Sequence, residues 1–468
     1  MVFSSFAFLF CFLPAFLLVY FLVPGRWKNA VLFTGSLIFY YYGVREHPVY
    51  VLLMMLSILV NASAARHMAR CRSKKGRTGC LAAGMSWNIG CLFVFKYLDF
   101  VSRNVNLILE RGGMSARLPF ANLVLPIGIS FYTFQISSYL IDVYRKEEKA
   151  EPSLLTLGTY LCMFPQLIAG PIVTYREVRG QMHRRDHSFR NLEEGLREFT
   201  IGLILKVLIA NRVGGLWTQT GSIGYESISC PMAWLGIAAY TFQIYFDFYG
   251  YSLMAKGLGK IMGFDFPDNF SNPYLSRSMT EFWRRWHITL GGWFRDYVYI
   301  PLGGNRSHPY RNLFFVWMLT GLWHGASWNF VLWGFALFLL ILLEKRGMKK
   351  ALDRVPVLGH LYMLLVIPLS WLLFAVTDLS QFWIYLTRLF PFLRQRAGAV
   401  YSGDFIKYGS ACIWPMAAAL LCSTGLPRIL YEKYKYRASV TFGLVVLFWV
   451  CVYCMYLGLD DPFLYYQF

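Results

Sequence analysis

Long apolar stretches separated by short polar ones repeat along the whole chain. They fall at 2–24, 29–43, 49–65, 79–100, 122–144, 153–170, 198–218, 231–263, 310–323, 326–343, 357–377, 380–393, 408–425 and 438–459. A helix of about 20 apolar residues spans a bilayer, and a helix satisfies its own backbone groups where water is missing. The pattern therefore predicts an all-α, multi-pass membrane protein, read as one membrane domain over 1–468. Several runs near the middle are too short to cross alone, which predicts re-entrant or broken helices there. The run at 2–24 has no basic start and no small-residue cleavage site, so it reads as a retained span.

Composition agrees with this reading. The chain has 468 residues, 57% hydrophobic and 15% charged, against roughly 25% charged in soluble domains. Its 45 Lys and Arg exceed its 25 Asp and Glu by 20, but the basic residues sit in connections between apolar runs. That placement fits membrane topology and argues against nucleic acid as a partner. Arg66, Arg70, Arg72, Lys74, Lys75 and Arg77 lie close together with no acid between them, which predicts a cytosolic connection and, three spans back, an external N-terminus. Arg428, Lys433, Lys435 and Arg437 precede the last span against Glu432 alone, and Asp460 and Asp461 follow it, so the C-terminus is expected outside as well. The ten cysteines have no paired CxxC spacing, and Cys451 and Cys454 read as packing residues, with no metal site expected. His183 and His187 stand four apart beside Arg184 and Arg185, a poor setting for a metal cation. HExxH, Walker, GxSxG and GxGxxG patterns are missing, as is the inverted repeat of many transporters.

Polar and aromatic residues crowd among apolar runs between 160 and 335, where each polar group at membrane depth is a candidate for function. In FPQLIAGP (164–171), two prolines and Gly170 interrupt an apolar run around Gln166; either a cavity wall or the plain end of a span would read this way. In YTFQIYFDFYGYS (240–252), Gln243, Asp247 and Tyr251 recur every four residues and share a helix face. Asp247 needs a partner there: a histidine, an arginine from the next segment, or an interhelical hydrogen bond. Ser278 and Glu281 have capping-box spacing and are expected to open an amphipathic helix. On it Trp283, His287, Leu290 and Phe294 would share one face, with Arg284, Arg285 and Arg295 off its centre and Trp286 beside His287. The arginines would anchor lipid headgroups or form a basic lip for phosphate or carboxylate groups. In LTGLWHGASWN (319–329), Gly321 and Gly325 allow close backbone approach around His324. An imidazole in apolar surroundings needs polar partners, and Trp323, Ser327, Trp328 and Asn329 are at hand. Burial would keep His324 neutral, the form that accepts a proton.

These pieces resemble the membrane-bound O-acyltransferase family, and within it the bacterial membrane subunits of alginate and peptidoglycan O-acetylation. The likeness rests on the opening MVFSSFAFLFCFLP, FPQLIAGPIVTYREV (164–178), YFDFYGYSLMAKGLGKIMGF (245–264), NFSNPYLSRSMTEFWRRWHITLGGWFRDYVYIPLGGNR (269–306) and LTGLWHGASWNFVLWG (319–334). Beyond about residue 335 only hydropathy matches. Tyr249 stands where such sequences often carry a small residue, a departure that narrows local packing. The resemblance implies about a dozen membrane helices plus re-entrant pieces around a tunnel, in a bacterial inner membrane. It implies His324 as catalytic histidine, acting as general base, and His287 as the second functional position. It also implies an acyl thioester such as acetyl-CoA as co-substrate with no bound cofactor, a polysaccharide acceptor, and a separate extracytoplasmic SGNH-type partner. Gln243, Asp247, Tyr251, Gln166, Trp286, Arg284, Arg285, Trp323 and Asn329 are candidates to bind substrate or support the histidines. D-alanylation, or acylation of a lipid or protein, would fit the same family, and a transporter or flippase is the reading from another class.

Overall fold

The computed structural model of the protein describes residues 2–393 and 400–458; Asp460 and Asp461 lie outside them. The described chain is mostly helical, and its only extended pairing is an isolated antiparallel bridge between Phe270 and Trp286. Two compact units emerge: residues 1–195 with 258–267, and residues 196–257 with 268–468.

The first unit contains α1 (Ala7–Leu22), α2 (Lys28–Gly43), α3 (Val49–Arg70), α4 (Lys74–Arg111), α5 (Ile129–Arg145), α6 (Leu154–Cys162) and α7 (Tyr175–His183). Then α8 (Phe189–Ile223) and α9 (Cys230–Ile261) follow, each contributing to both units. The second unit adds the short α10 (Met279–Arg285) and α11 (Ile288–Phe294), the pair α12 (Pro309–His324) and α13 (Trp328–Arg354), then α14 (Pro356–Ala375), α15 (Leu379–Leu389), α16 (Asp404–Ser423), α17 (Leu426–Tyr434) and α18 (Ala438–Tyr456). Seven of these are long and apolar enough to cross a membrane, namely α3, α4, α8, α13, α14, α16 and α18, and α1 is a shorter apolar helix. The protein is a multi-pass membrane protein.

Three expectations about the elements change in detail. The run expected to be helical from 122 starts only at Ile129, because Pro126 and Gly128 shape its entry. Gly128 is left-handed (φ 75°), and an added Cβ there would collide with the Leu167 carbonyl. The run at 153–170 ends its helix at Cys162, makes one more turn at Phe164–Leu167 and leaves through Gly170 (φ 106°), so it is broken where its prolines and glycine stand. Third, the amphipathic helix expected to carry Trp283 and His287 on one face is two helices. Ser278 caps α10 as its spacing predicts, accepting from the Glu281 amide at 3.1 Å, a contact worth about 1 kcal/mol. The Glu281 carboxylate turns to the Arg277 amide instead of closing the box. Trp286 is then extended and His287 left-handed (φ 44°, ψ 55°) before α11 resumes.

The α12–α13 pair packs as its glycines predict. An added Cβ on Gly334 would lie 3.3 Å from Gly321 Cα, and one on Gly321 would run into the Phe330 carbonyl, so the backbones meet where neither residue has a side chain. Gly325 serves differently, leaving room for the Phe330 ring.

Candidate active site

The break between α10 and α11 is held by backbone and side-chain bonds from residues far upstream. Ser271 N–H donates to the Arg285 carbonyl at 2.9 Å and Ile288 N–H to the Asn269 carbonyl at 3.0 Å. A left-handed residue other than glycine costs about 1–2 kcal/mol, and Asn269 offsets it. Its Oδ1 accepts from Thr289 Oγ1 at 2.9 Å and lies 3.0 Å from His287 Nδ1, while its Nδ2 donates to Ser252 Oγ at 3.2 Å. The Thr289 backbone amide also points at Oδ1, and an N–H can only donate, so this atom is the acceptor. His287 Nδ1 therefore carries the proton and Nε2 the lone pair. The ring is 2% exposed, and burial pushes its pKa down to about 3. His287 is a neutral imidazole of fixed tautomer.

Its surroundings are aromatic. Phe248 of α9 meets it edge-on at 4.7 Å and Trp323 of α12 lies at 6.1 Å. Trp323 in turn packs at 4.9 Å on His324, the last residue of α12. Trp333 of α13 and Phe374 of α14 close around the His324 ring at 5.2 and 5.1 Å, each nearly perpendicular. Asn329 ties this corner together, its Nδ2 donating to the carbonyls of Leu373 and Phe374 at 3.3 and 3.2 Å, while its buried Oδ1 makes no hydrogen bond. The two histidines are thus linked through one indole, with His324 8% exposed.

His287 opens on a cavity of about 310 Å³. Trp283, Trp286, Leu290, Phe294 and Trp317 line it, and Arg284, Arg295 and Lys345 bring positive charge. The Trp283 indole N–H is buried and has no hydrogen-bond partner, a donor available to a bound carbonyl or hydroxyl. Arg295 is paired with Asp296 at 2.7 Å. The cavity walls thus combine an apolar slot with a cationic edge. His324 is not among its lining residues.

Trp286, Arg284 and His287 meet at this cavity, and Trp323, His324 and Asn329 pack behind it. Arg285 does not join them, because Glu281 holds it at 2.6 Å. Gln243 and Asp247 face the other way. Successive helical residues turn by about 100°, so Phe248 reaches His287 while Asp247 points at α8. There Lys206 Nζ lies 2.6 Å from its carboxylate, both side chains at most 3% exposed. The partner expected from the next segment is thus replaced by a lysine in a stretch read as a plain span. Gly202 and Gly250 let the two helices close enough for this pair, since a Cβ on Gly250 would sit 2.7 Å from the Gly202 carbonyl. Gln243 packs on Gly214 of α8 with its Oε1 unpartnered, and Tyr251 is buried. Gln166 belongs to the first unit, where its Nε2 donates to the Tyr160 carbonyl at 2.8 Å and its Oε1 is buried without a partner. Tyr249 stacks on Tyr245 at 5.4 Å.

Sequence reasoning missed Asn269, Lys206 and Glu344. The Glu344 carboxylate accepts from the Met279 and Thr280 amides at 2.6 and 2.9 Å, anchoring α10. A charged residue inside an apolar run was the available signal for Lys206; Asn269 gave none beyond lying in the 269–306 stretch.

Comparison with known proteins follows this geometry. The profile of the membrane-bound O-acyltransferase family matches residues 141–401. A probable alginate O-acetylase AlgI of Azotobacter vinelandii is 38% identical over 403 residues, covering 84% of this chain and 78% of that protein. A peptidoglycan O-acetyltransferase of Helicobacter pylori is 35% identical over 370 residues, covering 71% and 68%. A teichoic acid D-alanyltransferase of Bacillus subtilis is 27% identical over 230 residues, covering 46% and 58%.

Proposed function

Because the chain belongs to the membrane-bound O-acyltransferase family, and is thus an O-acyltransferase, we propose that it moves an acetyl group from a cytosolic thioester toward hydroxyls of an exported polysaccharide, with His324 as general base. The observation that carries this reading is the linked pair of buried histidines, one of them opening on an apolar cavity with a cationic edge. Identity of 38% to an alginate O-acetylase, against 27% to a teichoic acid D-alanyltransferase, supports acetyl over D-alanyl.

The chemistry asks for a neutral imidazole at His324. The lone-pair nitrogen of His324 takes the proton of the acceptor hydroxyl as its oxygen attacks the thioester carbonyl carbon. The C–S bond breaks, the imidazolium returns the proton to the departing sulfur, and an ester and a free thiol result. Proton transfer of this kind contributes about 10²- to 10⁴-fold. The Trp283 N–H would steady the thioester oxygen, and the lone pair on His287 Nε2 would orient the acceptor hydroxyl by accepting from it. Acetyl-CoA or a similar thioester is the co-substrate, and the cationic edge of Arg284 and Lys345 suits its phosphates. An extracytoplasmic SGNH-type partner carries the acyl group on to the polysaccharide. The arginine-rich connection at 66–77 supports a cytosolic face there, in a bacterial inner membrane with both termini outside.

Purified protein with the partner, radiolabelled acetyl-CoA and a polyuronate acceptor tests this directly. Label in the polymer, lost in His324→Ala at unchanged melting temperature, supports the reading. Polymer export across vesicles without label transfer overturns it in favour of a transporter.

A further inference from the structure

A second cavity, in the first unit, has a different chemistry. It measures about 560 Å³ and is lined by Arg26, Lys28, Arg184, Arg185, His183 and His187, with Asn29 and Met182. Among the described residues, none of Arg26, Lys28, Arg184 and Arg185 is paired with a carboxylate. The acids nearby are committed or outside the lining: Glu151 binds His183 Nε2 at 3.2 Å and the Tyr175 hydroxyl at 2.5 Å, and Asp186 is exposed.

Arg185 is the built part of the site. Its Nε donates to the Gln181 carbonyl at 3.0 Å, one terminal nitrogen to the Tyr20 hydroxyl at 3.0 Å and the other to Asn29 Oδ1. The Phe264 ring lies under the guanidinium at 4.4 Å. Every one of these partners is neutral, so they fix the fork without cancelling its charge. Lys28 Nζ stands over the Tyr20 ring at 4.9 Å. Both ring nitrogens of His187 are buried and have no hydrogen-bond partner, although the ring packs on Tyr20 and Phe21. α2 begins at Lys28 with neither a side-chain cap nor an acid in its first turn, so the positive end of its dipole has no counter-charge of its own. The charges feel one another: burial and Arg185 lower the Lys28 pKa, and burial, Lys28 and Arg185 take His187 down to about 4.

Lys28 and Arg185 are half-buried and Arg26 and Arg184 exposed, and four like charges unmatched around one cavity repel one another, which a bound anion relieves. From this arrangement we infer that the cavity between Arg26–Asn29 and His183–His187 binds a phosphate group. Four cations exceed what one carboxylate matches, and the fixed guanidinium fork suits a tetrahedral oxyanion. The cavity also shares a face with the basic connection. Asn29 Nδ2 donates to the Met182 carbonyl at 3.0 Å, His183 holds Glu151, and Arg66 donates to the neighbouring Pro152 carbonyl at 2.7 Å. Two phosphate-bearing ligands reach such a face, an anionic phospholipid headgroup and a nucleotide-type thioester donor. The residues of this site belong to the first unit, and the inference does not depend on the roles of His287 and His324.

The test uses the full chain in neutral detergent, with radiolabelled inorganic phosphate as probe. The wild type is expected to bind it saturably, and Lys28→Gln/Arg184→Gln to bind about tenfold more weakly at unchanged melting temperature, since neither side chain donates a hydrogen bond within the protein. Arg185→Gln is the stronger variant, but its three bonds pack the fold. His324→Ala is expected to bind phosphate as the wild type does. Displacement at lower concentration by short-chain phosphatidylglycerol than by coenzyme A assigns the site to a lipid headgroup, and the reverse order assigns it to the donor. No saturable binding, binding indifferent to the double substitution, or displacement by neither competitor overturns the inference.

Discussion

His287 and His187 each line a cavity and each are held neutral, but by different neighbours. Around His287, burial among aromatic rings suffices, and Asn269 fixes the tautomer. Around His187, burial acts together with two unpaired cations, Lys28 and Arg185. Neutrality set by desolvation is a constant of the fold, suited to a group beside a proton-transfer step. The share of it that cations set lasts only until an anion arrives, which suits recognition. Asp247 is a third case, a buried charge cancelled by a partner, Lys206, at 2.6 Å.

The largest expected effect comes from breaking that third case. Asp247→Ala leaves the buried Lys206 ammonium without this carboxylate, and is predicted to destabilise the protein by about 3–5 kcal/mol, whereas Lys206→Met/Asp247→Leu recovers most of the loss; thermal unfolding in detergent measures both. Next, Asn269→Ala removes the acceptor that fixes His287. It is predicted to lower kcat by about 10- to 100-fold, equivalent to an unmet buried donor of about 1–3 kcal/mol, with a smaller change in KM. A kcat that does not move would make the His287 tautomer irrelevant. Trp283→Phe keeps the ring but deletes the unpartnered N–H, and a fall of several-fold in kcat/KM is expected if that donor meets substrate.

The smallest effect concerns pH and separates the two histidines. The folded pKa of His187, about 4, lies below its ordinary value near 6.5, so the unfolded chain takes up the proton first. Its contribution to stability is complete above about pH 6.5 and is lost as pH falls toward 4. His187→Gln should flatten that part of the melting profile, and added phosphate should blunt it in the wild type. A profile unchanged by either would mean that the cations do not govern His187.

What could be read from the sequence follows from how local each feature is. Gly321 announced the contact of α12 with α13, and Ser278 announced the start of α10, because each acts within one helix turn or across one tight hairpin. The break at Trp286–His287 was hidden, since it depends on Asn269 and Ser271, which precede it by 15 or more residues and look like ordinary loop. The Lys206–Asp247 pair was half visible: the acid stood out, its partner did not. The pairing of Arg184 and Arg185 with His183 and His187 was seen as a bad place for a metal cation. Only the fold brings Arg26 and Lys28 to them, turning the same residues into a place for an anion.

The central claim is that His324, and not the cavity-lining His287, takes the acceptor's proton. The most direct measurement compares His324→Gln and His287→Gln in the acetyl-transfer assay, both at wild-type melting temperature. A loss of about 10²- to 10⁴-fold in kcat for His324→Gln, with a smaller loss for His287→Gln, is the predicted result. Near wild-type turnover in His324→Gln would contradict it.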